Sequence, residues 1–374
     1  MIEIIPVKTG SDRKRFATFP WQIYRHDPLW VPPLLAERIK TIDPATGVFF
    51  KRGIAEFFMA LKDGKPAGTL CCAEDRETNQ ARNMKDCMIG FFDCIQDQAV
   101  AWAMFDHAKK WAKAHELETL YGPFNLDYED SYGVLLEGRD RPPVVLCGHT
   151  PPYYQGYFEE YGFPPARGDN LAYEITPEMS AVQRERLGHL ADWLRKRNWI
   201  KIRSADLEHW EEEVERIHIL MNKSLAHIPD FIPWPLEGLK ASLGQFRQIV
   251  DPELVLFAEV DGEAVGWFPG IPNVNEALIH ANGLRYPWDY LRLMPYLRRQ
   301  PNCLAIKSVL VLPEYWDTGV AVLLFDEMAN RAFPKGYTWF DLSLTSDDNP
   351  YTPTLATRGG ARLYKRYRVY RMPI

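Results

Sequence analysis

The sequence predicts an α/β protein of two like domains, each a mixed, mostly antiparallel sheet flanked by helices. Two observations predict it. The chain has 374 residues, enough for two ordinary domains with a sizeable core in each. It also resembles itself at a fixed offset. FFMALKDGKPAGTL (Phe57–Leu70) resembles VLFAEVDGEAVGWF (Val255–Phe268); each is an apolar run, an Asp-Gly break and a second run with its own glycine. Gly64 and Gly262 lie 262 − 64 = 198 positions apart, as do Gly68 and Gly266. The same register aligns IEII from Ile2 with IKIR from Ile200, and EEYGF around Gly162 with TRGGA around Gly360. Three matches in one order argue for a duplicated domain.

Each half opens with a strand and a helical pattern. Asp-Gly then closes a hairpin, because glycine accepts the positive φ of a tight turn. A long strand follows: MIGFFDCI (Met88–Ile95) in the first half and CLAIKSVLVL (Cys303–Leu312) in the second. Helical periodicity resumes at about Ala99–Ala114 and about Val320–Ala332. A further strand, a short helix and a last strand (LAYEI, YRVYRM) complete each half. Ser180–Asn198 has helical spacing and predicts a connecting helix. The domains accordingly span 1–178 and 200–374, with the connector at 179–199. RLYKRYRVYR (Arg362–Arg371) reads as an edge strand with solvated arginines; charge offered to the phosphates of a cofactor or of nucleic acid is the competing reading.

Hydrophobic residues make up 46% and charged residues 25%, the balance of a soluble globular protein. The net charge of −6 argues against a nucleic-acid partner, which calls for a positive face. No apolar run is long enough to span a membrane and no leader is evident at Met1–Gly10, so a cytoplasmic protein without a membrane partner is expected. The cysteines (Cys71, Cys72, Cys87, Cys94, Cys147, Cys303) form no paired framework and read as reduced thiols. With no HExxH and no close His/Cys cluster, no metal is expected. The missing Gly-x-Ser-x-Gly elbow weakens a serine hydrolase reading.

VLVLPEYWDTGVAVLLFDEM (Val309–Met328) is a strand, a polar turn and a helix that opens on Gly319. Such a turn is either a tight corner or a cradle for phosphate, since the first N–H groups of a helix lack intrahelical partners and its dipole favours an anion. The stretch resembles the GNAT N-acetyltransferase superfamily, and nearly the whole chain resembles tandem, two-domain bacterial members of it. In that family the central strand is followed by a Gln/Arg-x-x-Gly-x-Gly/Ala loop that binds the pyrophosphate of acetyl-CoA. Gly319 and Ala321 match the last two anchors and Trp316 replaces the first. YFEEYGF (Tyr157–Phe163) resembles the family's box before the closing strands, but the first-half turn IQDQAVAWAMF has no glycine. DLSLTSDDNPYTPTLATRGGARLYKRYRVY (Asp341–Tyr370) resembles the family's fifth strand, Asn-led helix and Gly-turn. Ala356 stands where many members carry a tyrosine, with Tyr351 nearby.

The resemblance implies acetyl-CoA, or another acyl-CoA, as co-substrate and a small-molecule or peptide amine as acceptor. It implies cofactor contacts at Val309, Leu310, Val311, Trp316, Asp317, Thr318, Gly319, Val320, Ala321 and Asn349, and catalytic roles for Asp341 as base and Tyr351 as acid. The competing reading of Asp341, as of Asp93 in the first half, is an ordinary polar residue at a strand edge. The long Gly122–Tyr157 stretch, rich in Tyr, Pro and Gly, is expected to wall the acceptor cleft through Asn125, Tyr128, Tyr153, Tyr154 and Tyr157. A structural flap over a sheet edge is the alternative. His149 reads as a packed loop histidine. Two other functions stay open: a binding or regulatory protein that has lost catalysis, and a Fem-like aminoacyl transferase.

Overall fold

Two equivalent sets of apolar strands, the central ones buried almost continuously, build two sheets. The computed structural model describes every residue except 128, 129, 179, 180, 228–232, 245, 246, 248, 350 and 351. The first half contributes β1 (Ile2–Pro6), β2 (Gly53–Lys62), β3 (Lys65–Asp75), β4 (Asp86–Cys94), β5 (Thr119–Gly122), β6 (Val134–Glu137) and β7 (Asn170–Ile175). The second contributes β8 (Ile200–Ser204), β9 (Val255–Val260), β10 (Glu263–Pro272), β11 (Cys303–Ile306), β12 (Leu310–Val311), β13 (Trp339–Ser346), β14 (Arg362–Arg368) and β15 (Tyr370–Pro373). The order β1-β2-β3-β4-β5 recurs as β8-β9-β10-β11-β13. Both hairpins turn as expected, on Asp63-Gly64 at φ 51° and 76° and on Asp261-Gly262 at φ 50° and 86°.

Helices cover the apolar faces. The first sheet carries α1 (Gln98–Ala114), which buries Val100, Met104, Phe105 and Ala108, and α2 (Tyr154–Tyr161). The connector is α3 (Ala181–Arg197), and the second sheet carries α4 (Trp210–Ser224). An inserted α5 (Pro287–Leu297) precedes β11, and α6 (Val320–Ala332) follows β12 and buries Val320, Leu323, Leu324 and Met328. Predicted and observed bounds of α1, α3 and α6 agree within a residue, because apolar spacing, caps and flanking polar turns all act locally. No helix among the described residues is long and apolar enough to cross a membrane.

The closing strands behave otherwise. β7 leaves the first half and pairs with β13 and β14 of the second sheet, and β6 pairs with β14 at its margin. β15 crosses the other way and pairs with β5. The expected edge strand Arg362–Arg371 is therefore two strands, and β14 is interior, between β6 and β7. The arginines of the stretch are paired with carboxylates, although Arg362 stays largely exposed. Arg368 Nε lies 2.8 Å from Asp169 and Nη1 2.9 Å from Glu159, Arg362 Nε lies 2.8 Å from Glu174, and Arg371 pairs with Asp86. Each carboxylate belongs to the first half, so these pairs tie the halves together.

Lys365 sits in the same strand, fully buried, with its ammonium donating to the carbonyls of Gly138 and Arg141. Burial pushes it down to about 8 from 10.5. Between those values the unfolded chain holds more protons than the folded one, so this group makes stability rise with pH. Urea unfolding should show the parent gaining on the order of 2 kcal/mol from pH 8 to pH 9.5 relative to Lys365→Met. Parallel pH profiles for the two proteins would refute it.

Candidate active site

β11 and β13 run parallel from Cys303↔Trp339 to Ile306↔Leu342 and then part. Beyond Ile306 the chain leaves β13, and it pairs again only as β12, with β10, through Leu310↔Trp267 and Val311↔Gly266. The expected single strand Cys303–Leu312 is thus two strands around an unpaired Lys307–Val309. The amides of Lys307, Ser308 and Val309 donate to no acceptor among the described residues. Val309 is exposed at the opening, while Leu310 and Val311 are buried.

Side chains from both halves meet at the point where the strands part. Asp341 and Ser343, two apart on β13, share one face. Lys307 Nζ lies 3.0 Å from Asp341 Oδ2 and 2.7 Å from Ser343 Oγ, and 3.5 Å from Cys147 Sγ. Ser343 donates to Asp341 Oδ2 at 2.6 Å, and Tyr364 donates to Asp341 Oδ1 at 2.6 Å. Asp341 is 0% exposed, so it is not the solvated strand-edge residue of the competing reading. Burial pulls the Lys307 ammonium down, but the Asp341 carboxylate more than offsets this and leaves it raised. Burial pushes the Cys147 thiol up against the opposing pull of Lys307. The result is a fixed cation, a neutral thiol and a carboxylate with three donors.

A cavity of about 300 Å³ opens on this group. Tyr121, Tyr132, Cys147 and Asn170 from the first half line it with Lys307 and Ser343 from the second, and Arg82 and Arg167 add positive charge. Asn170 Oδ1 accepts from Arg167, while its buried Nδ2 has no partner among the described residues. A larger depression of about 430 Å³ between α3 and α6 is lined by residues such as Arg195 and Asp326, already paired at 2.6 Å. It is remote from the parted strands, and the smaller cavity is the chemically equipped one.

The turn before α6 answers in two parts. Gly319 adopts φ 93°, and a Cβ there would meet Leu194 of α3 at 2.5 Å. Its left-handed backbone favours glycine there whatever else the turn does. The helix start is nevertheless uncapped by any described side chain. Trp316 Nε1 donates to the Val311 carbonyl at 2.9 Å, and Thr318 Oγ1 to that of Tyr315 at 2.6 Å, which fixes the turn beside the open amides. Asp317 is exposed, Val320 buried and Ala321 half-buried. The Asn349 amide donates back to Ser346 O at 3.1 Å.

The first half has filled the same features. β4 and β5 also part after Met88↔Tyr121, but the Phe91 amide donates to Asn125 Oδ1 at 2.7 Å, and a Cβ on Gly90 would strike the Phe124 carbonyl. The start of α1 is capped by the Asp97 carboxylate, which accepts from Ala99 and pairs with Lys62. A second anion there meets like charge.

Asn125 is therefore a plug rather than an acceptor-binding residue. The tyrosines of α2 are corrected likewise. Tyr153 and Tyr157 donate to the Cys94 and Ile95 carbonyls at 2.9 and 3.2 Å, and Tyr154 OH accepts from the Cys94 amide and reaches Asp93. All three pack in the first core. Asp93, in that cage, is pushed up by burial to about 6. Tyr128 and Tyr351 lie outside the described residues. His149 is buried against Asp27 at 2.7 Å. The long stretch still reaches the second half, through Val145 N to Asn273 Oδ1 at 3.0 Å, and brings Cys147 to the site. Lys307, Ser343, Cys147 and Tyr364 were not singled out from the sequence. The lone lysine inside CLAIKSVLVL was the one local signal.

Residues 219–354, which include the parted strands and the turn, match the model of the acetyltransferase (GNAT) family. That segment is similar to GNAT acetyltransferases. The chain is 28% identical to bacterial ceramide synthase of Caulobacter vibrioides (strain NA1000 / CB15N), over 99% of its own length and 97% of that protein. It is 26% identical to protein YghO of Escherichia coli (strain K12), over 97% of its length and 93% of that protein. Among solved structures it is similar to a tandem GNAT protein from the clavulanic acid biosynthesis pathway, with TM-score 0.58 and 11% identity over 100% of this chain and 98% of that one. A GCN5-related N-acetyltransferase from Sphaerobacter thermophilus gives TM-score 0.54 and 14% identity over 99% and 95%. At such identities the two structures speak for the fold alone.

Proposed function

We propose that this protein is an acyl-CoA-dependent N-acyltransferase whose acceptor is a long-chain amino alcohol, with transfer taking place in the seam between its halves. One observation carries the reading. Of the two halves, the second keeps both the parted strands with unpaired amides and the uncapped helix start, while the first has filled both with its own side chains. The α6 start would hold the CoA pyrophosphate, and the amides of Lys307–Val309 would meet the thioester oxygen as it becomes an oxyanion.

The acceptor amine must lose a proton before it attacks. Ser343 lines the cavity and donates to Asp341, which gives a short path for that proton. Lys307 supplies positive charge where the oxyanion and the leaving thiolate develop negative charge. Its ammonium, with Arg82 and Arg167, also disfavours a charged amine and favours the neutral nucleophile. Asn170 and the guanidinium groups are donors suited to the hydroxyl oxygens of an amino alcohol head. The long-chain acceptor follows the name of the ceramide synthase relative, since a ceramide is the fatty amide of a long-chain amino alcohol. The cavity is at the small end of ligand pockets, sized for a head group with its chain directed outward.

Incubation with a fatty acyl-CoA and a long-chain amino alcohol should yield amide and free CoA in equal amounts, followed by mass spectrometry and a thiol reagent. No amide with any long-chain amine, together with no thermal shift on adding CoA, would sink the reading.

A further inference from the structure

The helix α5 presents its apolar side to solvent. Its inner face is set by Asp289, buried and accepting from the Tyr286 and Asn282 amide groups at 3.0 and 3.2 Å, and by buried Leu293. The outward residues are the large ones: Trp288 at 52% exposure, Tyr290 at 58%, Leu291 at 70% and Leu297 at 64%, with Met294 and Tyr286 also exposed. An ordinary surface helix places polar residues there. Exposed single apolar residues are common, but six on one eleven-residue helix and its cap form a contiguous patch.

The charge around the patch has one sign. Residues 281–302 hold Arg285, Arg292, Arg298 and Arg299 against the single acid Asp289, a balance of 4 − 1 = +3 in a protein of net charge −6. Asp289 is buried and lies 3.6 Å from Arg292, whereas Arg298 and Arg299 are exposed. The helix is firmly mounted. Trp21 Nε1 donates to Asn282 at 2.8 Å, Arg285 stacks over the Trp21 ring at 4.7 Å, and Tyr286 stacks on Trp288 at 4.7 Å.

We infer that α5 docks the protein on an anionic lipid surface, with Trp288, Leu291, Met294 and Leu297 entering the acyl boundary and the arginines meeting the headgroups. Aromatic and branched apolar residues on one side, rimmed by arginine, are the chemistry of a helix lying in the membrane interface. A protein partner would be met by mixed charge at the rim, and the rim here is basic. The inference departs from the sequence expectation of no membrane partner and stands whether or not the acyl-transfer reading does.

The test is co-sedimentation of the full chain with vesicles of equal parts phosphatidylcholine and phosphatidylglycerol, against phosphatidylcholine alone. The parent should bind the anionic vesicles, with a blue shift of tryptophan emission, and lose binding as salt rises. Leu291→Glu/Leu297→Glu should weaken binding at least about tenfold, and Arg298→Gln/Arg299→Gln by roughly tenfold on anionic vesicles only. Both pairs are exposed, so unchanged circular dichroism melts are expected, and either pair decides the matter if the other misfolds. Failure of the parent to bind anionic vesicles, or equal binding by both variants, overturns the inference. So does a parent dimer that Leu291→Glu/Leu297→Glu converts to monomer while vesicles bind neither, because the patch is then a self-association surface.

Discussion

Lys307→Met should lower stability by about 3–5 kcal/mol and acyl transfer by at least about a hundredfold. The stability loss follows from what remains. Asp341 is fully buried, and without the ammonium at 3.0 Å its charge is held only by the Ser343 and Tyr364 hydroxyls. An uncompensated buried charge costs far more than a surface one. The activity loss follows from the place of the ammonium, at the mouth of the parted strands and in the wall of the cavity. The double variant Lys307→Met/Asp341→Leu separates the two. Replacing a buried ion pair by apolar side chains is often neutral, so much of the stability should return. Activity should not, because the cation and the proton acceptor are both gone. Denaturant midpoints and turnover measured on the same samples check this. Should activity return along with stability, the pair is scaffolding and the chemistry lies elsewhere.

Residues 200–374 expressed alone should fail to reach a native state. In the intact protein β7 supplies the partner on the open side of β13, from Phe340↔Ile175 to Ser346↔Asn170. β14 has both of its neighbours, β6 and β7, from the first half. Without them β14 has no sheet to join, and β13 exposes a row of unpaired amides and carbonyls. Glu174, which is buried and holds Arg141 and Arg362, is lost as well. The first half on its own lacks β15, so β5 becomes an open edge. Residues 1–178 and 200–374 produced together should recover a cooperative melt that neither piece shows alone, read by circular dichroism and amide dispersion. A sharp, independent melt of the 200–374 piece would show that each half can close on its own strands.

Much was legible without coordinates, and for a common reason. The Asp-Gly hairpins, the helices at Gln98–Ala114, Ala181–Arg197 and Val320–Ala332, and the recurring order of five strands follow from turn chemistry and apolar periodicity, both local along the chain. The 198-residue offset carried the duplication because equivalent turns demand glycine at equivalent places. Asp341 was legible as a residue of the strand Trp339–Ser346, though not as a buried one.

What the sequence could not carry were the relations between distant segments. Strand exchange puts β7 beside β13 and β15 beside β5, and a strand's spacing says that it pairs but not with which half. The tyrosines of α2 read equally well as cleft or core until the carbonyls of Cys94 and Ile95 took their hydroxyls. That the turn at Gly319 lies against Leu194 of the connecting helix was likewise invisible in the local pattern. Lys307, Cys147 and Ser343 come from positions up to 196 residues apart, and no local pattern joins them. The sequence by itself determined the two repeated units and which half carries a glycine-led turn before its helix, because propensity, turns and period act between near neighbours. Only the tertiary structure decided how the halves interlock and which side chains meet in the seam, because burial and charge pairing depend on contacts that the chain makes across its whole length.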